Sequence, residues 1–115
     1  MTVTIYHNPR CSKSRQTLEL LEKNGVTPKV VRYLENPPSK TELKSIVKSL
    51  GVKSAREVMR VKEAPYTELD LKNVTAESAL IDAMVENPIL IERPIVVNGD
   101  KAAIGRPPES VLDIL

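Results

Sequence analysis

The chain has no phenylalanine and no tryptophan, and only three tyrosines among its 115 residues. Its core must therefore be aliphatic, built from Leu, Ile and Val. The same scarcity argues against a platform for single-stranded nucleic acid, which stacks bases on aromatic rings. There is one cysteine. No internal disulfide can form, and a reducing, cytoplasmic setting is the expectation. No apolar run approaches the length of a membrane span. The opening residues MTVTIYHN lack the basic and long apolar regions of a signal peptide. A net charge of +2 is too mild to imply a nucleic-acid or membrane partner. Neither is expected, nor is a bound metal or cofactor. What remains is ordinary for a globular chain: apolar residues make up 41% and charged residues 28%, enough for one domain over residues 1–115 with a core of its own.

Periodicity orders the elements. Val3-Thr4-Ile5-Tyr6 alternates and is β-branched, which predicts a strand. A helical pattern begins at Ser12, with Leu18, Leu20 and Leu21 apolar and Asn24-Gly25 as its stop. Lys29–Tyr33 predicts a second strand, broken by Asn36-Pro37-Pro38. Ser39-x-x-Glu42 is a capping box ahead of Leu43, Ile46, Val47 and Leu50. Ser54-x-x-Glu57 predicts a second capped helix that ends near Arg60. A third helix starts at Thr75-Ala76-Glu77 and stops at Asn87-Pro88. Pro94–Val97 and Lys101–Ile104 predict strands around Asn98-Gly99, a strong hairpin signal. Arg106-Pro107-Pro108 leads into a last helix with Val111, Leu112 and Leu115 apolar. The order is β-α-β, then helices, then β-β-α. It predicts an α/β, thioredoxin-like fold: a four-stranded mixed sheet with a helical insertion, about residues 37–90, between its βαβ and ββα halves.

The only cysteine and the only histidine share one short stretch, Tyr6-His7-Asn8-Pro9-Arg10-Cys11-Ser12-Lys13-Ser14-Arg15. That order puts Cys11 at the N-terminus of the first helix. Unpaired N–H groups and the positive end of the dipole there favour a thiolate and an oxyanion. Arg10, Lys13 and Arg15 add positive charge. A buried, inert cysteine would sit among apolar neighbours, and this one does not. His7 either tunes the thiolate or ends the strand as a structural residue. Ser14 stands where a dithiol motif has its second cysteine, and its hydroxyl either donates to the thiolate or caps the helix. A single thiol must borrow an external thiol to reduce anything. Arg60, Arg93 and Arg106 lie at element edges. Arginine is suited to bidentate oxyanion binding, although each one alone also fits a solvated surface charge.

Several stretches together, IYHNPRCSKSRQTL, YLENPP, APYTEL, NPILIERPIVV, GRPPE and VLDIL, closely resemble the glutaredoxin-coupled arsenate reductase family over nearly the whole chain. The resemblance implies a thioredoxin-like fold with a helical insertion and a cis Pro94. It implies Cys11 as the nucleophile that forms a thiol–arsenate adduct. Glutathione then adds, and glutaredoxin resolves the mixed disulfide as arsenite leaves. It matches Arg60, Arg93 and Arg106 to oxyanion-binding positions and His7 to the histidine near the thiol. Arg10 and Ser12-Lys13 make this loop bulkier and more cationic than is usual in the family. Two other readings stand beside the reductase. One is an Spx-type transcription regulator, which often carries a CxxC redox switch. The other is a glutathione-dependent thiol oxidoreductase.

Overall fold

The computed structural model describes residues 2–115. The chain up to Asn36 and Arg93–Leu115 together form one compact unit, and Pro37–Glu92 forms another.

The first unit holds the sheet. Strand β1 (Val3–His7) leads through the cysteine loop into helix α1 (Ser12–Lys23), then strand β2 (Lys29–Arg32). The hairpin of β3 (Ile95–Asn98) and β4 (Lys101–Ile104) completes it. The strand order is β2-β1-β3-β4. β1 runs parallel to β2, with Ile5 opposite Val30. It runs antiparallel to β3, with Ile5 opposite Val96. β3 and β4 pair antiparallel from Asn98↔Lys101 to Ile95↔Ile104. This is the four-stranded mixed sheet of a thioredoxin-like fold. Val3, Ile5, Leu21, Val96 and Val111 are buried together beside it, so the core is aliphatic as composition requires.

Two local features differ from the sequence reading. The buried stripe of α1 is Ser14, Thr17 and Leu21, so two of its three members are polar. Thr17 satisfies its hydroxyl on the Lys13 carbonyl at 2.8 Å. The last helix is a 3₁₀ helix over Pro108–Ile114. Its end is tied to the hairpin by Asn98 Nδ2, which donates to the Ile114 carbonyl at 2.7 Å. Gly105 sits where a close approach requires glycine. A Cβ there would lie 2.5 Å from Thr17 Oγ1 and 2.8 Å from Pro94 Cγ.

The second unit is helical. Helix α2 (Lys40–Leu50) opens on the complete Ser39/Glu42 capping box and closes on Gly51 in the left-handed region. The Ser54/Glu57 box also forms, but it caps only one 3₁₀ turn, Ala55–Val58. Beyond it Met59 turns extended and pairs with Ile91 in an isolated bridge. Arg60 therefore follows an extended residue rather than ending a helix, because this pairing overrides the local helical signal. A short helix α3 (Ala64–Glu68), not foreseen in the sequence, is followed by α4 (Glu77–Glu86). Arg56 Nη1 donates to Tyr66 Oη at 2.5 Å and to the Leu71 carbonyl at 2.9 Å, and Nη2 donates to the Val74 carbonyl. One guanidinium thus gathers the segment between the 3₁₀ turn and α4. Among the described residues, no helix is long and apolar enough to cross a membrane.

Candidate active site

The site grows from the turn that joins β1 to α1. Cys11 is the N-cap residue of α1, with extended backbone (φ −94, ψ 124). Its N–H donates to the Asn8 carbonyl at 3.0 Å, which folds the loop tightly. Asn8 also receives the Arg10 N–H on Oδ1 at 3.0 Å and gives its own N–H to Ser14 Oγ at 3.0 Å. The sulfur is left at the open end of the helix, and Cys11 is 9% exposed.

Two arginines from the far end of the chain reach it. Arg106 Nη2 lies 3.7 Å from Cys11 Sγ, and its Nε donates to the Arg93 carbonyl at 2.8 Å. That second bond fixes the direction in which the guanidinium fork points. Arg93 also favours the ionised form of the sulfur, by hydrogen bonding and by charge. Both arginines precede cis prolines, Pro94 and Pro107. The cis bond at Pro94 matches what the resemblance implied, and the one at Pro107 was not foreseen.

These contacts decide the ionisation of the thiol. Burial pushes the Cys11 pKa up and is the largest single influence. Against it act the Ser14 N–H, the Arg93 guanidinium by hydrogen bond and by charge, and the Lys13 N–H. Together they win, and the pKa falls below its ordinary value. The Cys11 side chain makes no capping hydrogen bond, so the N–H groups act chiefly on the charged form. Arg10, Lys13 and Arg15 were expected to supply the charge. Arg15 Nη1 instead donates to the Pro9 carbonyl at 2.9 Å, and the cations that act on the sulfur are Arg93 and Arg106, 82 and 95 positions away in sequence.

His7 and Ser14 lie behind the loop. His7 is 6% exposed and Ser14 is fully buried, with Nδ1 and Oγ 2.7 Å apart. Ser14 therefore does not cap the helix with its hydroxyl, which is committed to His7 and Asn8. Burial, then Arg32 and Arg15, lower the His7 pKa. The ring is held neutral and lends no positive charge to the sulfur. Tyr33, just past β2, is a member of the site that the sequence reading missed. It is 1% exposed; burial raises its pKa, and Arg93 and Asn8 act against that shift. Its only signal was its place at the head of YLENPP. Arg60 belongs to the helical unit. Its Nη2 pairs with Glu63 at 3.1 Å, and its Nη1 is buried with no hydrogen-bond partner. Among the described residues, no group of three His, Cys, Asp or Glu side chains is arranged to hold a metal.

Residues 6–114 match the model of the ArsC family. The chain belongs to that family. It is 54% identical over 116 residues to an arsenate reductase of Haemophilus influenzae, covering all of both chains. It is 60% identical over 114 residues to the Escherichia coli protein YfgD, covering 98% of this chain and 96% of that one. Among solved structures, an arsenate reductase from Vibrio cholerae superposes with a TM-score of 0.96 at 54% identity, covering 100% of this chain and 98% of that chain. The thioredoxin-like sheet of this ArsC-family member is thus shared with its relatives.

Proposed function

We propose that this protein is an arsenate reductase that works in the reducing cytoplasm with glutathione and glutaredoxin. The observation that carries this reading is the Cys11 sulfur at a helix N-terminus with Arg106 Nη2 at 3.7 Å, and Arg93 favours the same thiolate. The identity with reductases named for arsenate supports the choice of substrate.

The Cys11 thiolate attacks the arsenic of arsenate, an S–As bond forms, and one oxygen leaves as water after protonation. Arg93 and Arg106 hold the remaining oxygens and offset their negative charge. A glutathione thiolate then attacks the Cys11 sulfur. The S–As bonding pair goes to arsenic, which leaves as arsenite, and two thiols become one mixed disulfide. Glutaredoxin supplies the thiol that restores Cys11. His7 and Ser14, with Nδ1 and Oγ 2.7 Å apart behind the loop, keep it in shape. The family resemblance matches Arg60 to a third oxyanion-binding position. A hollow of about 240 Å³ beside the loop is lined by Asn8, Arg10, Arg32 and Glu35 among others. Its charges complement the carboxylates and amine of glutathione. A dithiol redox switch of the Spx type has no second cysteine to use.

Protection of Cys11 tests the oxyanion site directly. Arsenate should slow alkylation of Cys11 by iodoacetamide in a saturable way, and Arg93→Ala should abolish the protection. An alkylation rate unchanged by arsenate at any concentration would contradict the reading.

A further inference from the structure

We propose that the hollow beside the cysteine loop selects glutathione over other thiols, with Arg10 and Arg32 reading its two carboxylates and Glu35 its ammonium. This rests on the reductase reading for the identity of the thiol and adds the residues that recognise it. The sheet builds the hollow. β1 and β2 run parallel with His7 opposite Arg32, so the segments that follow the two strands leave the sheet at the same end. Ligand crevices of open α/β sheets form there, outside the carboxyl ends of the strands. The lining comes from both segments: Asn8, Pro9 and Arg10 after β1, and Arg32, Leu34 and Glu35 at the end of β2 and beyond it. Both are held in shape. Arg10 N–H donates to Asn8 Oδ1 at 3.0 Å, and the Pro9 carbonyl accepts Arg15 Nη1 at 2.9 Å. The Arg32 carbonyl accepts the N–H groups of Glu35 at 3.0 Å and Asn36 at 2.9 Å, a turn that keeps Glu35 near Arg32.

The charges lining it are available to a ligand. Among the described residues, no ion pair uses Arg10, Arg32 or Glu35, and all three are exposed. Two guanidinium groups and one carboxylate therefore face one small space. Glutathione carries the opposite set at neutral pH, two carboxylates and one ammonium. Free cysteine has only one of each, and mercaptoethanol has none. A guanidinium suits the two oxygens of a carboxylate. Leu34, 46% exposed, gives the methylene groups of the glutamyl arm an apolar surface. At about 240 Å³ the hollow is smaller than the roughly 300–1,000 Å³ of pockets that bury a whole ligand. It suits a tripeptide whose charged arms are held while its thiol stays outside. Cys11 is the residue next to Arg10, so the sulfur that the thiol must meet lies at the border of the hollow.

The test is thiol–disulfide exchange at Cys11, followed by mass spectrometry, with oxidised glutathione and with the uncharged hydroxyethyl disulfide. In each case the Cys11 thiolate attacks one sulfur of the reagent, a mixed disulfide forms, and the other half leaves as a thiolate. The readout is the ratio of the two rates, which cancels the reactivity of Cys11 itself. The parent should favour oxidised glutathione. Arg32→Ala should lower the ratio about three- to fivefold, the worth of a well-placed exposed ion pair, and Arg10→Ala together with Arg32→Ala should lower it further. Glu35→Gln separates recognition from general attraction. Removing a negative charge should speed the reaction with an anionic reagent if only the overall field matters. A carboxylate that reads the ammonium predicts the reverse, a ratio about twofold lower, and acetylating the amines of oxidised glutathione should remove that dependence on Glu35. A parent without preference, a parental ratio in Arg32→Ala, or a raised ratio in Glu35→Gln would overturn the proposal. The exchange needs no arsenate. If the parent fails to turn over arsenate, the reductase reading falls while the ratios still decide the glutathione site.

Discussion

Cys11 depends on residues that are remote in sequence. Its loop neighbours Arg10, Lys13 and Arg15 carry charge, but geometry gives the work to Arg93, Arg106 and two backbone N–H groups. Alkylation of Cys11 should therefore show a midpoint below the ordinary thiol value of about 8.5. Neutralising Arg10 or Arg15 should leave that midpoint nearly in place, and Arg93→Ala should raise it. Arg106→Ala should raise the KM for arsenate roughly ten- to a hundredfold, the worth of a charge-assisted contact. Arg106→Lys should recover only part of it. Lysine keeps the charge but cannot place one nitrogen on the Arg93 carbonyl and another beside the sulfur, as the guanidinium does. Steady-state kinetics of the two variants separate charge from geometry.

At the scale of elements, much of the order was legible, and the reasons for the rest are physical. The strands and α1, α2 and α4 follow from apolar period and from caps, which are local signals. The polar stripe Ser14-Thr17 of α1 was hidden because hydrophobic patterning ignores hydroxyls that satisfy themselves. The 3₁₀ turn after Ser54 was read as a longer helix because the Met59↔Ile91 bridge is set by a partner more than thirty residues away. Cys11, and Arg93 and Arg106 which act on it, could be singled out from motif alone. The convergence of Arg93 and Arg106 could not, since it depends on how the hairpin and the last helix return to β1. Tyr33 carries no local signal that sets it apart from a tyrosine packed at a strand end.

Two element-level predictions follow from contacts. Gly105→Ala should destabilise the protein by about 1–3 kcal/mol. Its Cβ would meet Thr17 Oγ1 and the Pro94 ring, and a proline ring next to a β-branched side chain cannot swing aside. The urea midpoint measures it. Glu77 accepts the Ala55 N–H at 2.7 Å and the Ser54 hydroxyl at 2.8 Å, and these bonds, in that order, lower its pKa. A depressed carboxylate contributes stability that is present above its unfolded pKa and lost as pH falls through the folded one. Stability should thus decline on acidification below about pH 5, and Glu77→Gln should flatten that decline while lowering stability at neutral pH.

For the whole molecule, membership of the ArsC family, the thioredoxin-like sheet and a single thiol combine into one claim. Cys11 is the only sulfur that can carry the arsenic, so no other residue can rescue its loss. The most direct measurement is arsenate-dependent NADPH oxidation coupled through glutathione and glutaredoxin, with the parent protein beside Cys11→Ser. The account predicts turnover by the parent and a fall of at least about a thousandfold in the variant. Equal turnover in both, or none in a folded parent whose Cys11 alkylates at low pH, would contradict it.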